Sequence, residues 1–452
     1  SPLRRALTLT LQVNARRQTL AAAVLLTLGS PSAMASGFSV PELSAAGVGT
    51  ANAMVANPKD RGAFPFNPSA MAFHEQSSWS VGTLFLSPSF SVRNDAGKHD
   101  SQGAEWFAAP LFQAALRISD KWSVGFGVNA PFGLETRWES GTFPSLDQTQ
   151  LVPLPPPLGP TVLPVSPQPT QSKLEILDFV PTVSYRVNDN LAVSAGADIY
   201  WVKSATLNST LTDMEGDGSG VGFNVSALFS KDAFSAGIAF RSAATAELNG
   251  FYTALNPTLV AIHGATGGAQ GIPPSQTADL DLNLPWRLQL GVRYEITPAL
   301  AVEVDWTRNG WSEFDKIEVN GDVSGTLIED TNEWKDSNAY RFGLTYQLLD
   351  TTQLRFGYSY DEKAQPDDYF SARVPDNDRQ LFAVGVAHSL QGGWQVEAGY
   401  LYATTGERNV RGDRPFDPSV PGDISGTTAI AGKYESDVHM IALEVSKGFD
   451  AF

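Results

Sequence analysis

No cysteine occurs in the 452 residues. Disulfides, thiolate nucleophiles and cysteine-ligated metals are therefore excluded together, and the composition suits a chain that crosses an oxidising compartment. Positive charge is scarce: 31 Lys and Arg stand against 48 Asp and Glu, a formal net charge of −17. Nucleic acid is excluded as a partner, because phosphate binding needs a basic face. The histidines are His74, His99, His263, His388 and His439, and none has metal-ligand spacing or belongs to an HExxH motif. The run Asp213-Met-Glu-Gly-Asp-Gly218 faintly resembles a calcium loop, but its twelfth position is Asn224 where Glu is required, so it reads as an acidic turn. Gly216, Gly218 and Gly220 lead into a strand and not a helix, so they form no phosphate cradle. With no nucleophile–base pair in view, the expectation is no enzyme, no catalytic residue, no metal and no cofactor.

Long apolar runs are also missing, with one exception near the N-terminus. Arg16 and Arg17 form a basic region, Leu20 to Leu28 is a short apolar core, and Ala33-Met34-Ala35 is a small-x-small cleavage site. Residues 1–35 are thus expected to be an export signal; the apolar stretch is too short for a membrane anchor, which takes about 20 residues. No later run has helix-spanning length, which leaves an exported soluble protein or a β-barrel.

What is present is alternation. From about Ser77 onward, apolar residues alternate with polar or small ones, as in Gln353-Leu-Arg-Phe-Gly-Tyr-Ser-Tyr and Gln395-Val-Glu-Ala-Gly-Tyr-Leu-Tyr. Period two places one set on each face of a strand. About 14 such segments can be placed, at 78–92, 104–118, 121–138, 172–187, 190–206, 219–230, 233–249, 279–296, 299–319, 334–348, 352–362, 379–390, 393–406 and 432–449. Several exceed the mean soluble strand of about 5–6 residues and match the roughly 9–11 that cross a bilayer. Even-numbered segments are followed by tight turns, such as Asn188-Asp189-Asn190 and Thr297-Pro298. Odd-numbered ones are followed by long connections, such as 139–171, 250–278, 363–378 and 407–431. This layout is that of an outer-membrane barrel with short periplasmic turns and long outer loops. The expected fold is all-β, a transmembrane antiparallel barrel over 77–452, set among outer-membrane lipid and lipopolysaccharide. Its last strand, running to Phe452, looks like the signal read by the barrel-assembly machinery. Most of the ten tryptophans fall near segment ends, as interfacial girdles require.

Two regions break the pattern. Residues 36–76 are rich in Ala, Gly, Asn and Pro and too short for an independent domain; they are expected to fold inside the lumen as a hatch. Leu151 to Thr170 carries eight prolines, which forbid helix and favour extended structure, so a flexible outer loop is expected there.

The hatch region resembles the mature start of the FadL family of outer-membrane long-chain fatty acid and aromatic hydrocarbon transporters, through Ser36-Gly-Phe-Ser-Val-Pro-Glu-Leu-Ser-Ala-Ala-Gly-Val-Gly-Thr-Ala. Asn67-Pro68-Ser69 stands where that family carries Asn-Pro-Ala. Leu282-Asn-Leu-Pro285-Trp286, Trp311-Ser312-Glu313-Phe314, Trp334-Lys335-Asp336 and Val374-Pro-Asp-Asn-Asp-Arg379 follow in the family's order. The resemblance implies passive uptake of a hydrophobic small molecule, with Ser36, Gly37, Phe38, Asn67, Pro68 and Ser69 in the hatch and its gating. It also implies a kinked third strand that opens the wall. Here Ala130, Pro131, Phe132 and Gly133 supply the kink, since proline removes a ladder hydrogen bond and glycine permits bending. Two positions where the family's fatty acid transporters carry basic residues correspond to about Asn208 and Glu318, which leans the expectation toward neutral solutes. A general porin or an outer-membrane hydrolase are the alternatives.

Overall fold

The computed structural model describes residues 37–101, 106–146, 149–153, 156, 159–164, 167–415 and 427–450. The expected export signal, Ser36 and Phe452 lie outside the described residues.

Fourteen strands run antiparallel in chain order. They are β1 (Ser77–Asn94), β2 (Phe107–Arg117), β3 (Trp122–Arg137), β4 (Pro169–Asn188), β5 (Leu191–Ser209), β6 (Thr212–Lys231), β7 (Phe234–Arg241 and Ala244–Ala254), β8 (Ser275–Leu284 and Trp286–Thr297), β9 (Leu300–Gly310 and Lys316–Gly321), β10 (Gly325–Thr331 and Ser337–Leu349), β11 (Thr352–Asp361), β12 (Arg379–Ser389), β13 (Trp394–Thr405) and β14 (Gly432–Phe449). β1 pairs with β14 from Ser77↔Phe449 to Arg93↔Lys433, so the sheet closes on itself. Closure removes the free edges that hydrocarbon cannot solvate.

Alternation then sorts the side chains. Val81, Phe223, Val292, Val304, Phe382 and Leu443 are large, apolar and exposed on the outer surface, where lipid covers them. At the short-turn end Trp79 meets Trp394 edge-on with centroids 5.6 Å apart, and Trp122 meets Tyr185 at 4.6 Å. These pairs form an interfacial girdle.

Two connections differ from expectation. After β5 and β9 the chain does not loop out. β5 and β6 are separated by residues 210–211 alone, and β9 and β10 by residues 322–324. The Asp213–Gly218 run lies inside β6, paired with β7 from Ala254↔Thr212 to Glu247↔Ser219, so it is strand and not an acidic turn. The β5–β10 side of the barrel therefore stands as a tall wing. Of the proline-rich tract, Thr149–Pro153 and Pro160–Pro164 pair as a separate hairpin, extended as proline demands.

Residues 37–76 lie within the barrel. Every residue from Val40 to Pro58 is buried. A short helix α1 (Ala45–Gly49) is capped by Ser44, whose hydroxyl accepts from Gly47 N–H at 3.0 Å. Turns within the segment satisfy much of its backbone, from Val48 N–H on Ser44 O to His74 N–H on Met71 O, and inward-facing strand side chains satisfy amides the turns leave over. Asp305 on β9 accepts from Met54 N–H and Val55 N–H at 2.9 and 3.1 Å, and Glu303 from Ala56 N–H at 2.7 Å. Glu444 on β14 accepts from Ala45 N–H at 2.8 Å. Arg355 on β11 pairs with Asp60 at 2.8 Å. Inward glycines make the room: a Cβ on Gly237 would sit 2.0 Å from the Val55 carbonyl oxygen.

Gly237→Leu is therefore expected to push the Val55 turn off β9. Two backbone-to-carboxyl hydrogen bonds, each worth about 0.5–1.5 kcal/mol, would go. The purified barrel should keep its heat-dependent gel shift while its single-channel conductance rises. Unchanged conductance would show that the inner segment does not occlude the lumen.

Candidate functional site

β2 and β3 part company halfway up the wall. Their pairing runs from Arg117↔Ser123 to Phe112↔Val128 and stops. Beyond it, β2 is held by β1 alone, through Leu86↔Phe107, and β3 by β4 alone. On the β4 side, Asn129↔Asp178 is followed by Phe132↔Ile176, so Ala130 and Pro131 oppose the single residue Leu177. This is a β-bulge, which bends the strand that carries it. From Asn129 to Thr136 the in–out alternation vanishes and every residue is buried.

The freed edge of β3 needs hydrogen-bond partners, and the inner segment provides them. Gly133 N–H donates to the Phe38 carbonyl at 3.0 Å, and Val40 N–H donates to the Pro131 carbonyl at 2.7 Å. Ser39 and Phe132 form an isolated bridge. Proline fits this edge because its missing N–H falls where no neighbour asks for it. The structure thus brings Gly37 and Phe38 against Ala130–Gly133. It does not bring Asn67, Pro68 and Ser69 there. Asn67 caps the 3-10 turn Pro68–Phe73 and reaches β6, donating to Ala227 O at 3.1 Å, while the Ser69 and Ser226 hydroxyls lie 2.8 Å apart. Those residues fasten the inner segment to the far wall.

Phe38 is enclosed by four rings: Trp311 at 4.7 Å, Phe314 at 5.3 Å, Phe132 at 5.9 Å and Trp334 at 6.0 Å between centroids. Gly37 has φ +70°, and a Cβ there would lie 2.5 Å from the Trp334 ring and 2.6 Å from Trp311. No side chain fits at that position. The tryptophans come from the breaks in β9 and β10, so the motifs Trp311–Phe314 and Trp334–Asp336 form one aromatic seal. On one side of it lies a largely apolar cavity, lined by Phe38, Leu134, Leu174, Leu248, Leu282 and Phe314. On the other lies a smaller, more polar chamber at the bulge, lined by Ser39, Asn129, Pro131, Asp178 and Arg287.

The sequence profile of the family described as outer membrane protein transport protein (OMPP1/FadL/TodX) matches residues 26–154 and 162–449. The chain belongs to this family. It is 25% identical over 413 residues to the 47 kDa outer membrane protein of Pasteurella multocida, covering 85% of this chain and 90% of that one. It is 22% identical over 424 residues to the long-chain fatty acid transport protein of Escherichia coli O6:H1, covering 84% and 90%. Among solved structures, a FadL homologue of Pseudomonas aeruginosa superimposes with a TM-score of 0.75 at 18% identity, covering 91% of this chain and 100% of that one. The toluene transporter TbuX of Ralstonia pickettii does so with 0.61 at 16%, covering 92% and 99%. These structures share the fold, and the FadL/TodX membership places the protein in the outer membrane.

One cavity residue escaped the sequence reasoning. Arg373, from the connection between β11 and β12, is 3% exposed and lines the large cavity. Its Nη1 donates to Ser172 Oγ at 2.8 Å, Asn208 O at 2.9 Å and Gln171 O at 3.3 Å. Burial pulls its pKa down to about 10, offset in part by the charge of Asp330, and Arg373 makes no ion pair among the described residues. Asn208, expected to be where a base is missing, is the residue whose carbonyl receives this guanidinium. Glu318 lies in the outer part of β9, bonded to Lys316, and does not line the cavity. Arg373 precedes the Val374–Arg379 motif by one residue, the only sequence signal that could have drawn attention to it.

Phe38→Ala removes a ring of the kind whose loss from a packed site costs about 3–5 kcal/mol. The expected outcome is a joined cavity and chamber, seen as faster entry of a small apolar dye into proteoliposome membranes. A rate equal to that of the unaltered protein would deny Phe38 its sealing role.

Proposed function

We propose that the protein is a passive channel through which hydrophobic small molecules enter the apolar cavity from outside and leave sideways, between β2 and β3, into the outer membrane. The observation that carries this reading is the edge of β3 from Asn129 to Arg137, which has no β2 partner and is bonded instead to Phe38 and Val40. A strand edge in a hydrocarbon setting must be covered, and the cover here belongs to a segment that also plugs the cavity. Withdrawing Gly37 to Val40 would uncover the gap and join cavity to chamber in one movement. The sideways route also has an energetic argument. Returning a buried chain to water costs about 0.8 kcal/mol per methylene, whereas passage from cavity to lipid exposes almost none of it. No coupling to an energy source is required.

The solute that fits best has an apolar body and an anionic end. A buried guanidinium without an ion-pair partner is costly, and a carboxylate is its natural planar complement. This moves the reading from neutral hydrocarbons toward carboxylate amphiphiles, the class named for the Escherichia coli relative.

Two variants test it. Pro131→Val with Gly133→Val should let β3 stay in the wall, lowering uptake of both toluene and fatty acid several-fold while the barrel still assembles; unaltered uptake rules out the sideways route. Arg373→Gln should weaken fatty acid binding by about 10- to 100-fold, the worth of one charged hydrogen-bonded contact, and leave toluene binding nearly alone. Equal losses for both would assign Arg373 a packing role.

A further inference from the structure

Beyond the bulge, β3 and β4 face the cavity on one side and carry a run of paired charges on the other. Leu134, Thr136, Ser172 and Leu174 point into the lumen, where the leucines line the cavity and the hydroxyls bond to Arg373. Alternation therefore turns Glu135, Arg137, Lys173 and Glu175 outward. Arg137 pairs with Glu135 at 2.6 Å, Lys173 with Glu175, and Lys203 on β5 with the other oxygen of Glu175 at 3.3 Å. Gln171 donates to Glu135 at 3.2 Å. Exposure divides these groups by sign. The side chains of Glu135 and Glu175 are 4% and 6% exposed, against 51% for Arg137, 44% for Lys203 and 29% for Lys173. The acids lie underneath, and three cations form the surface. Their height is set by β5, where the exposed outward residues Val193, Ile199 and Trp201 make a lipid-facing strip that ends in a tryptophan. Lys203 is the next charged residue beyond that strip, so the cations stand at the outer border of the membrane, where headgroups lie. The cationic surface ends abruptly on both sides. Asp213, Glu215 and Asp217 on β6 are exposed in the groove next to Lys203, and Glu139 is the next exposed side chain after Arg137.

We propose that Arg137, Lys173 and Lys203 bind a phosphate group of lipopolysaccharide, the phosphorylated glycolipid of the outer leaflet, on the strand that carries the bulge. A guanidinium and two ammonium groups offer N–H donors and no acceptors, and a phosphate accepts charge-assisted bonds from all three. The register suits one such group. Glu135 pairs with Lys173 and Arg137 with Gln171, so Arg137 and Lys173 are diagonal neighbours on adjacent strands. Diagonal positions lie about 7–8 Å apart, a separation that two long side chains close around a single phosphate. The buried carboxylates of Glu135 and Glu175 hold the cations in place before the ligand arrives, which lowers the entropy lost on binding. Position selects a lipid over a free anion. Ile199 and Trp201 lie directly on the membrane side of Lys203, where the acyl chains of a glycolipid pack against them. The acidic residues of β6 repel a second phosphate and confine the site to β3–β5. This site is independent of the sideways route and of the reading of Arg373.

The test uses the full-length protein, stripped of lipid in detergent and titrated under native mass spectrometry with three probes: short-chain lipopolysaccharide, the same glycolipid after phosphatase treatment, and inorganic phosphate. Arg137→Gln with Lys173→Gln should weaken lipopolysaccharide by roughly 25-fold, about fivefold for each cation lost at a lipid surface. The phosphatase-treated glycolipid should bind the unaltered protein with a similar deficit. Glu175→Gln releases Lys173 and Lys203 and should tighten lipopolysaccharide several-fold, a gain that poor assembly cannot imitate. Equal affinity for treated and untreated glycolipid, a double variant that binds like the unaltered protein, or a loss in Glu175→Gln overturns the phosphate site. Inorganic phosphate that displaces the glycolipid at equal concentration overturns the lipid assignment and leaves a site for a free anion.

Discussion

The structure depends on one requirement: inside a bilayer, every backbone N–H and C=O must find a partner within the protein, because lipid offers none. A closed barrel meets this by pairing each strand with two neighbours, and β14 returning to β1 over Ser77 to Arg93 completes the ring. A hole in such a wall is therefore difficult to build. Here one is made by letting β3 diverge from β2 after Val128, with the extra residue at Ala130–Pro131 accommodating the bend. The bonds lost to β2 are partly replaced by Phe38 and Val40. The inner segment thus lies in the lumen and completes the wall at once, and the same few hydrogen bonds serve both ends.

That dual role explains the uneven anchoring of the inner segment. Its body is held by polar side chains from several strands. Asp305 and Glu303 reach it from β9, Glu444 from β14 and Arg355 from β11. The Arg355–Asp60 contact is an ion pair, a charge-assisted bond roughly twice as strong as a neutral one. Its first few residues are held differently, by two backbone bonds and by ring contacts around Phe38. Ring packing needs no hydrogen-bond donor or acceptor, whereas each of the polar contacts does.

The architecture was largely legible from residue alternation and from tight turns such as Asn188-Asp189-Asn190, because those are local consequences of backbone geometry. The position of the kink was legible too, since Pro131 within a strand permits few arrangements. What stayed hidden was non-local. Gly and Asp are poor strand formers, so Asp213–Gly218 looked like a turn; pairing with β5 and β7 overrides that preference, and a Cβ on Gly218 would lie 1.9 Å from the Glu247 carbonyl oxygen, so glycine permits the close approach of the strands. Alternation showed that Glu303 and Asp305 point inward, yet no pattern could say that their partners are the amides of Met54 to Ala56. Arg373 lies in a long connection, where sequence carries no periodicity that would report a side chain folded back into the lumen.

Arg373 also bears on how substrate preference diverges within a shared fold. The relatives include a long-chain fatty acid transport protein and a toluene transporter with similar barrels, so the wall and inner segment alone do not choose the solute. In this chain the cation enters from the β11–β12 connection, while the strand position expected to supply it, Asn208, contributes only a carbonyl. A connection can change length and composition without breaking a ladder of hydrogen bonds, whereas a strand position is constrained by its neighbours on both sides. Under the function proposed above, a charge on the connection would separate what the channel accepts from what keeps the barrel closed. The remaining constraint on such a residue is burial: a guanidinium in an apolar cavity is tolerable only with several acceptors, and the oxygens of Gln171, Ser172 and Asn208 meet that need before any solute arrives.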